Sequence, residues 1–295
     1  MILQNNILNS IETAVSPSPA RDSSIGRLLL QLGKITQADS ENILKTQQEY
    51  GLRFGDAALK LGLIKESDIR QVLALQFNYP YLQAGQGNYS NELIAAYQPF
   101  SKQVEALRAL RSQLMMRWFS EGYKTLAIVA ANAGEGGSYL AANLAIVFSQ
   151  LGERTLLVDA NLREPRQHAI FNLKEKLGLS DIIAGRAGLD VITQVESFVD
   201  LSVVGAGTTP PNPQELLNRA TFTEFMNQVI GQYDIVLVDT TPATATSDAQ
   251  ATVARCGGAL LVSRLNHTRL SDVAELRDQI NVTGARVVGA VINEF

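Results

Sequence analysis

TLAIVAANAGEGGS, residues 125–138, joins an apolar run to a glycine-rich turn, and helical spacing resumes near Tyr139. A run that is apolar throughout, without alternation, marks a strand buried on both faces, as in parallel sheets covered by helices. A strand that passes into a helix through glycines has the placement of a phosphate-binding loop, because glycines let backbone N–H groups face an anion at the helix N-terminus. Gly134, Glu135, Gly136, Gly137, Ser138 and Tyr139 are therefore the candidate nucleotide-binding residues. Against the signature G-x-x-x-x-G-K-[ST], Gly136 and Ser138 stand as expected, whereas Ala131 replaces the first glycine and Gly137 replaces the lysine. On pattern alone, a plain glycine turn between strand and helix is an equal reading.

Two later segments shift that balance. LLVDANLR (156–163) and IVLVD (235–239) each end an apolar run on an acid, Asp159 and Asp239. In an open parallel sheet the ligand sits at the carboxyl ends of the strands, so both carboxylates belong in the crevice that holds the loop. This makes Ser138, Asp159 and Asp239 candidate Mg²⁺ partners, with Asp159 and Asp239 the candidate catalytic acids. LSVVGA (201–206), GGALLVS (257–263) and ARVVGAVI (285–292) continue the alternation of apolar runs with helical segments. A doubly wound, mostly parallel α/β domain is expected over residues 92–295.

The chain has 295 residues, 46% hydrophobic and 18% charged, enough for one large domain and a small one. Lys and Arg total 25 against 29 Asp and Glu, a net charge of -4, which excludes the broad basic surface that nucleic acid requires. One cysteine, Cys256, and two histidines, His168 and His267, exclude a disulfide framework and make zinc improbable; Cys256 is expected to be a buried, inert thiol. No run approaches the length of a membrane span, and the first residues lack a signal-peptide layout, so the expected location is cytoplasmic.

Ahead of the α/β pattern, residues 1–23 end on SPSPARDSS and are expected to be a flexible tail. From 24 to 82 the sequence repeats with an offset of 29: Ile25-Gly26, Leu30, Leu32-Gly33, Ile35, Asp39, Leu44 and Gln47 recur as Phe54-Gly55, Leu59, Leu61-Gly62, Ile64, Asp68, Leu73 and Gln76. Each copy reads as a small helical hairpin, and two copies can bury each other's apolar faces. QAGQGNYSN, residues 83–91, reads as a linker.

Taken together, AANAGEGGSYLAANLA (130–145), TLLVDANLREPRQHAIF (155–171), PPNPQELL (210–217) and YDIVLVDTTPATATSDA (233–249) resemble the phosphate-binding and acidic motifs of the bacterial tyrosine kinases of capsule and exopolysaccharide systems. Glu105-x-x-Arg108-x-x-Arg111 resembles that family's oligomerisation motif; by spacing alone it is a solvated helix face with internal ion pairs. The resemblance implies a P-loop fold of the MinD type, ATP/ADP and Mg²⁺ as cofactors, and phosphoryl transfer from ATP to protein tyrosine. It also implies a homo-oligomer built through the 105–111 helix, and a membrane-spanning polysaccharide chain-length regulator that recruits the chain to the inner face of the membrane. The 24–82 module resembles the N-terminal domain of type II secretion and pilus ATPases, whose motif implicates Arg53 and Gly55 in cyclic di-GMP binding, although Ser24 stands where the first copy would carry arginine. The fused arrangement resembles EpsG-type chain-length determinant kinases.

This sequence departs from the family pattern at Gly137, at Asn161 in place of a second acid, and in having no tyrosine beyond Tyr233. Two readings follow: a tyrosine kinase, and a catalytically weak or inactive pseudokinase acting as a nucleotide-dependent scaffold or a cyclic di-GMP-responsive regulator. A charge-assisted contact to phosphate contributes about 1.5–3 kcal/mol. Gly137→Lys is therefore expected to tighten ATP binding or raise turnover, as measured by nucleotide titration and a phosphoryl-transfer assay; an unchanged value in both argues against a weakened kinase site.

Overall fold

The structure, a computed structural model, describes residues 22–76, 81–82 and 85–295. Residues 1–21 of the expected tail lie outside the described residues. The chain divides into two units at 79/80.

The first unit is four helices, α1 (Asp22–Gln31), α2 (Gln37–Tyr50), α3 (Phe54–Lys60) and α4 (Glu66–Gln76), so α1 takes in residues 22 and 23 of the stretch read as tail. The 29-residue repeat is also a repeat of structure. Gly33 and Gly62 end the first helix of each hairpin in the left-handed region, at φ 64° and 67°, where a side chain would be strained. The carboxylates of Asp39 and Asp68 accept the N–H groups of Thr36 and Lys65 at 2.8 and 2.9 Å, closing the start of the second helix each time. The core follows the same offset, with Leu29 and Ala58, Ile35 and Ile64, and Ile43 and Val72 all buried in it. A Cβ at Gly26 would lie 3.1 Å from the Phe54 ring, and one at Gly55 would lie 3.1 Å from Ile69. The repeated glycine thus serves helix packing. Gly55 is buried and Arg53 is the exposed residue capping α3, so nothing in this pair supports the cyclic di-GMP expectation.

The second unit is a seven-stranded sheet: β1 (Thr125–Ala130), β2 (Thr155–Asp159), β3 (Thr193–Gln194), β4 (Leu201–Val204), β5 (Ile235–Asp239), β6 (Gly258–Arg264) and β7 (Arg286–Asn293). Their order is β3-β4-β2-β5-β1-β6-β7, parallel except for β3, a two-residue edge that the hydropathy pattern does not reveal. Successive residues of β1 feed opposite cores: Leu126, Ile128 and Ala130 join one layer, and Ala127 and Val129 the other. That division is why these strands read as unbroken apolar runs. The first layer is closed by α5 (Ile94–Tyr97), α6 (Lys102–Arg117) and α7 (Gly137–Ser149), the last buried from Leu140 to Ser149.

Residues 85–91 of the stretch read as a linker are part of this unit, and residues 83 and 84 lie outside the described residues. Ser90 N–H donates to the Ile170 carbonyl at 2.9 Å, the Tyr97 hydroxyl donates to the Gln86 carbonyl at 2.7 Å, and Tyr89 packs edge-on against Phe171. The glycines and polar residues of 85–91 form turns pinned by those contacts, so low hydropathy here marks an irregular surface segment. In the same layer, beside β1 and β6, Trp118 is 1% exposed, stacks on Tyr123 at 3.8 Å and donates its indole N–H to the Thr125 carbonyl at 2.9 Å. A Cβ at Gly258, the first residue of β6, would stand 2.3 Å from Trp118 Cζ2. Gly258→Ala is expected to lower stability by about 1–3 kcal/mol through overpacking, seen in urea unfolding as a lower midpoint at unchanged slope.

Candidate nucleotide site

β1 runs directly into the glycine loop, and α7 starts at Gly137, two residues before the position expected from helical spacing. Gly134 and Gly136 sit at φ 77° and 87°, conformations that only glycine adopts readily. Among the described residues, the N–H groups of Gly134, Gly136 and Gly137 have no acceptor in the chain, as at a helix N-terminus open to an anion.

Glu135 has a different place from the one expected. Its side chain is 1% exposed and turned into the protein, accepting from Asn132 N–H and Asn132 Nδ2, both at 3.0 Å, and from the Thr268 hydroxyl at 2.6 Å. Its carbonyl accepts from Asn293 Nδ2 at 2.8 Å. Glu135 therefore braces the loop from within, tying it to the segment after β6 and to the end of β7, and can offer a nucleotide only its backbone. Thr244 fixes the loop's other side, donating its hydroxyl to the Ala131 carbonyl at 2.8 Å and to Asn132 Oδ1 at 3.1 Å.

Asp159 and Asp239 stand directly opposite each other at the ends of the paired strands β2 and β5, both fully buried. Asp159 Oδ2 accepts the N–H groups of Arg166 and Gln167 at 3.0 and 2.9 Å, and Oδ1 accepts Asn161 N–H at 3.2 Å. Burial, and then the charge of Asp239, hold the Asp159 carboxyl well above the usual carboxylate range, against the pull of those three amides. Burial also pushes Asp239 up to about 6, opposed by hydrogen bonds from Gln167 and Ser138 and by the charge of Arg166. Asp239 Oδ2 accepts Gln167 Nε2 at 2.8 Å, while Oδ1 is buried with no partner.

That orphaned oxygen, on a carboxyl group that the Ser138 hydroxyl also reaches, is what a divalent cation would satisfy, since Mg²⁺ takes hydroxyl and carboxylate oxygens. Ser138 and Asp239 fit the expected metal role. Asp159, whose oxygens are engaged by backbone amides, fits the role of a charge held behind them. Asn161 turns its carbonyl oxygen to Glu164 N–H and the Thr241 hydroxyl, fixing the turn after β2.

Sequence reasoning missed Gln167. Fully buried, it links the site's parts, giving its backbone N–H to Asp159 and its Nε2 to both Asp239 and the Ser138 carbonyl, the latter at 3.1 Å. An uncharged side chain at the start of a four-residue helix carries no periodic signal, and only its closeness to Asp159 in sequence hinted at it. Tyr139 is half-buried at the mouth, its hydroxyl pushed up by burial and by the charge of Glu92. Gly134, Gly136, Tyr139, Arg166 and Glu92 line a cavity of about 1130 Å³.

On α6, Glu105 pairs with Arg108 of the same helix, while Arg111 donates to the Val147 carbonyl of α7 at 2.7 Å. Arg111 thus anchors α6 within its own subunit. Arg163 is bound to Asp248, its Nε donating at 2.6 Å. Cys256 is buried and its thiol is pushed up to about 12 by burial, in keeping with an inert role. Among the described residues no helix is long and apolar enough to cross a membrane.

Fold and loop together define a protein of the P-loop class whose loop lacks its lysine. No family model matches the chain. It is 32% identical over 201 residues to the tyrosine-protein kinase YwqD of Bacillus subtilis, an alignment that takes in 68% of this chain and 85% of YwqD. The solved kinase domain of the Escherichia coli tyrosine kinase Etk superposes with a TM-score of 0.66 at 32% identity, covering 68% of this chain and 79% of that domain. Against full-length Etk the alignment spans only 28% of the relative's length. The septum site-determining protein MinD of Pyrococcus horikoshii, at 22% identity and a TM-score of 0.51, shares the fold. The chain belongs to the bacterial tyrosine kinase family.

The carboxyl pair has a thermodynamic consequence. An acid whose folded pKa is raised favours the fold below its unfolded pKa near 4, and that contribution is lost as pH rises through the folded value near 6. Metal-free protein is therefore expected to lose stability between about pH 4 and pH 7. Asp239→Asn is expected to raise its melting temperature at pH 7.5 and to abolish the stabilisation that Mg·ATP gives the parent, both read by thermal unfolding.

Proposed function

We propose that the chain binds Mg·ATP at this site and serves as the kinase component of an exopolysaccharide chain-length system, acting with a separate membrane-spanning regulator at the cytoplasmic face of the membrane. The observation that carries this reading is the buried, unpartnered Oδ1 of Asp239 beside Ser138, at the foot of an open glycine loop. A bound Mg-nucleotide supplies the γ-phosphoryl group and the metal's charge. In this chain Gly134, Gly136 and Gly137 receive the phosphates through backbone N–H groups, Ser138 and Asp239 hold the metal, and Asp159 sets the field behind them. Gln167 fixes the three side chains relative to one another. Family membership supports transfer to protein tyrosine as the reaction, and the α6 motif Glu105, Arg108 and Arg111 supports a homo-oligomer, with Arg111 acting through its hold on α7.

One observation favours the rival reading, a nucleotide-dependent scaffold. Gly137 leaves the phosphates without a cation from the loop, and the loss of one such group costs on the order of 10³–10⁵ in transfer rate where it neutralises transition-state charge. Mass-spectrometric mapping of phosphotyrosine after incubation with Mg·ATP separates the two, with Asp239→Ala as control. Phosphate on tyrosine that vanishes in the control is the expected result; ATP binding without phosphotyrosine assigns the chain to the scaffold reading.

A further inference from the structure

With Gly137 in the lysine position, the phosphate chain needs positive charge from elsewhere; the cavity wall carries two cations, Lys102 at the start of α6 and Arg166, and of these Arg166 is the one whose backbone is tied to Asp159. Arg163 is held by Asp248, a side chain only 1% exposed at the start of the helix Asp248–Cys256, and does not line the cavity. Arg166 differs in every respect. Its backbone N–H is fixed to Asp159, so its Cα is set beside the acidic pair. Its side chain lines the same cavity as Gly134, Gly136 and Tyr139. Its charge is felt at Asp239. Its ion-pair partner is Glu92 at 2.8 Å, and the two side chains are 52% and 40% exposed. A pair so open to solvent contributes little and exchanges readily, whereas a guanidinium meeting a phosphate gains charge-assisted, bidentate hydrogen bonds.

Glu92 is itself firmly placed. Its carbonyl accepts from Asn143 Nδ2 at 2.9 Å, and Asn143 is a fully buried residue of α7. The carboxylate at the cavity mouth therefore has a fixed origin, and it would repel phosphate unless Arg166 neutralised it.

We propose that Arg166 supplies the positive charge that Gly137 cannot, leaving Glu92 to meet the nucleotide phosphates, with Glu92 holding the guanidinium in reserve while the site is empty. The proposal rests on the nucleotide reading above and assigns Arg166 a direct contact and Glu92 a restraining one.

The test is binding of Mg·ATP and of adenosine, by calorimetry on the whole chain, for the parent, Arg166→Ala, Arg166→Lys, Glu92→Gln and the double variant Gly137→Lys/Arg166→Ala. Arg166→Ala is expected to weaken Mg·ATP about 10- to 100-fold and to leave adenosine within about twofold, since the lost contact is to phosphate. Arg166→Lys recovers part of the loss, Gly137→Lys restores binding in the double variant, and Glu92→Gln tightens Mg·ATP. The proposal is overturned if Arg166→Ala binds Mg·ATP as the parent does, or if it weakens adenosine as much as ATP, which would mark a structural role. Melting temperatures within a few degrees of the parent's show that each variant is folded. A parent chain that binds no Mg·ATP while folded would overturn the nucleotide reading itself, an outcome distinct from equal binding by parent and Arg166→Ala.

Discussion

Two carboxylates buried side by side at the ends of adjacent parallel strands are the constraint around which the larger unit is arranged. Asp159 and Asp239 occupy paired positions of β2 and β5 with no solvent to screen them. Like charges in that setting raise each other's pKa and weaken the empty fold. The chain answers with donors: three backbone amides on Asp159, and Gln167 and Ser138 on Asp239. One oxygen of Asp239 is left over. A cation would complete a site that is under-satisfied when empty, which is what joins Ser138, Asp239 and the glycine loop in the proposed function.

The loop that faces this pair is held from behind. In Glu135 a negative side chain sits within a phosphate-binding loop, which would oppose anion binding if it pointed outward. Here the carboxylate is buried among Asn132 and Thr268, and the carbonyl is tied to Asn293, so the loop's geometry depends on the segment after β6 and on the end of β7. In the proposal positive charge comes from Arg166; its backbone N–H and that of Gln167 both meet the Asp159 carboxylate, and their side chains part from there. One enters the cavity and the other the buried network. The family's usual lysine and this arrangement are different answers to the same electrostatic demand.

The helical unit obeys a simpler rule. Its glycines at 26 and 55 allow close approach of an aromatic ring and an isoleucine, and those at 33 and 62 turn the chain where a side chain would be strained. A repeat that fixes both turns and core in this way is explained by packing alone.

The sequence by itself determined the sheet, because strands buried on both faces must be apolar throughout, and it determined the repeat, the loop and both acids, because turn glycines and strand-end carboxylates lie within a few residues of the pattern that reveals them. Direction was not legible. Whether Glu135 faces a nucleotide or the interior and whether Arg163 or Arg166 faces the cavity were decided by partners 74 to 158 residues away, among them Asp248 for Arg163, Thr268 and Asn293 for Glu135, and Glu92 for Arg166, while which acid keeps an open oxygen was decided by how the turn after β2 folds its amides back onto Asp159. The edge strand β3 escaped because two residues are too few to show a period, and residues 85–91 escaped because their turns are pinned by single hydrogen bonds, such as that from Ser90 to Ile170, that leave no periodicity in the local sequence.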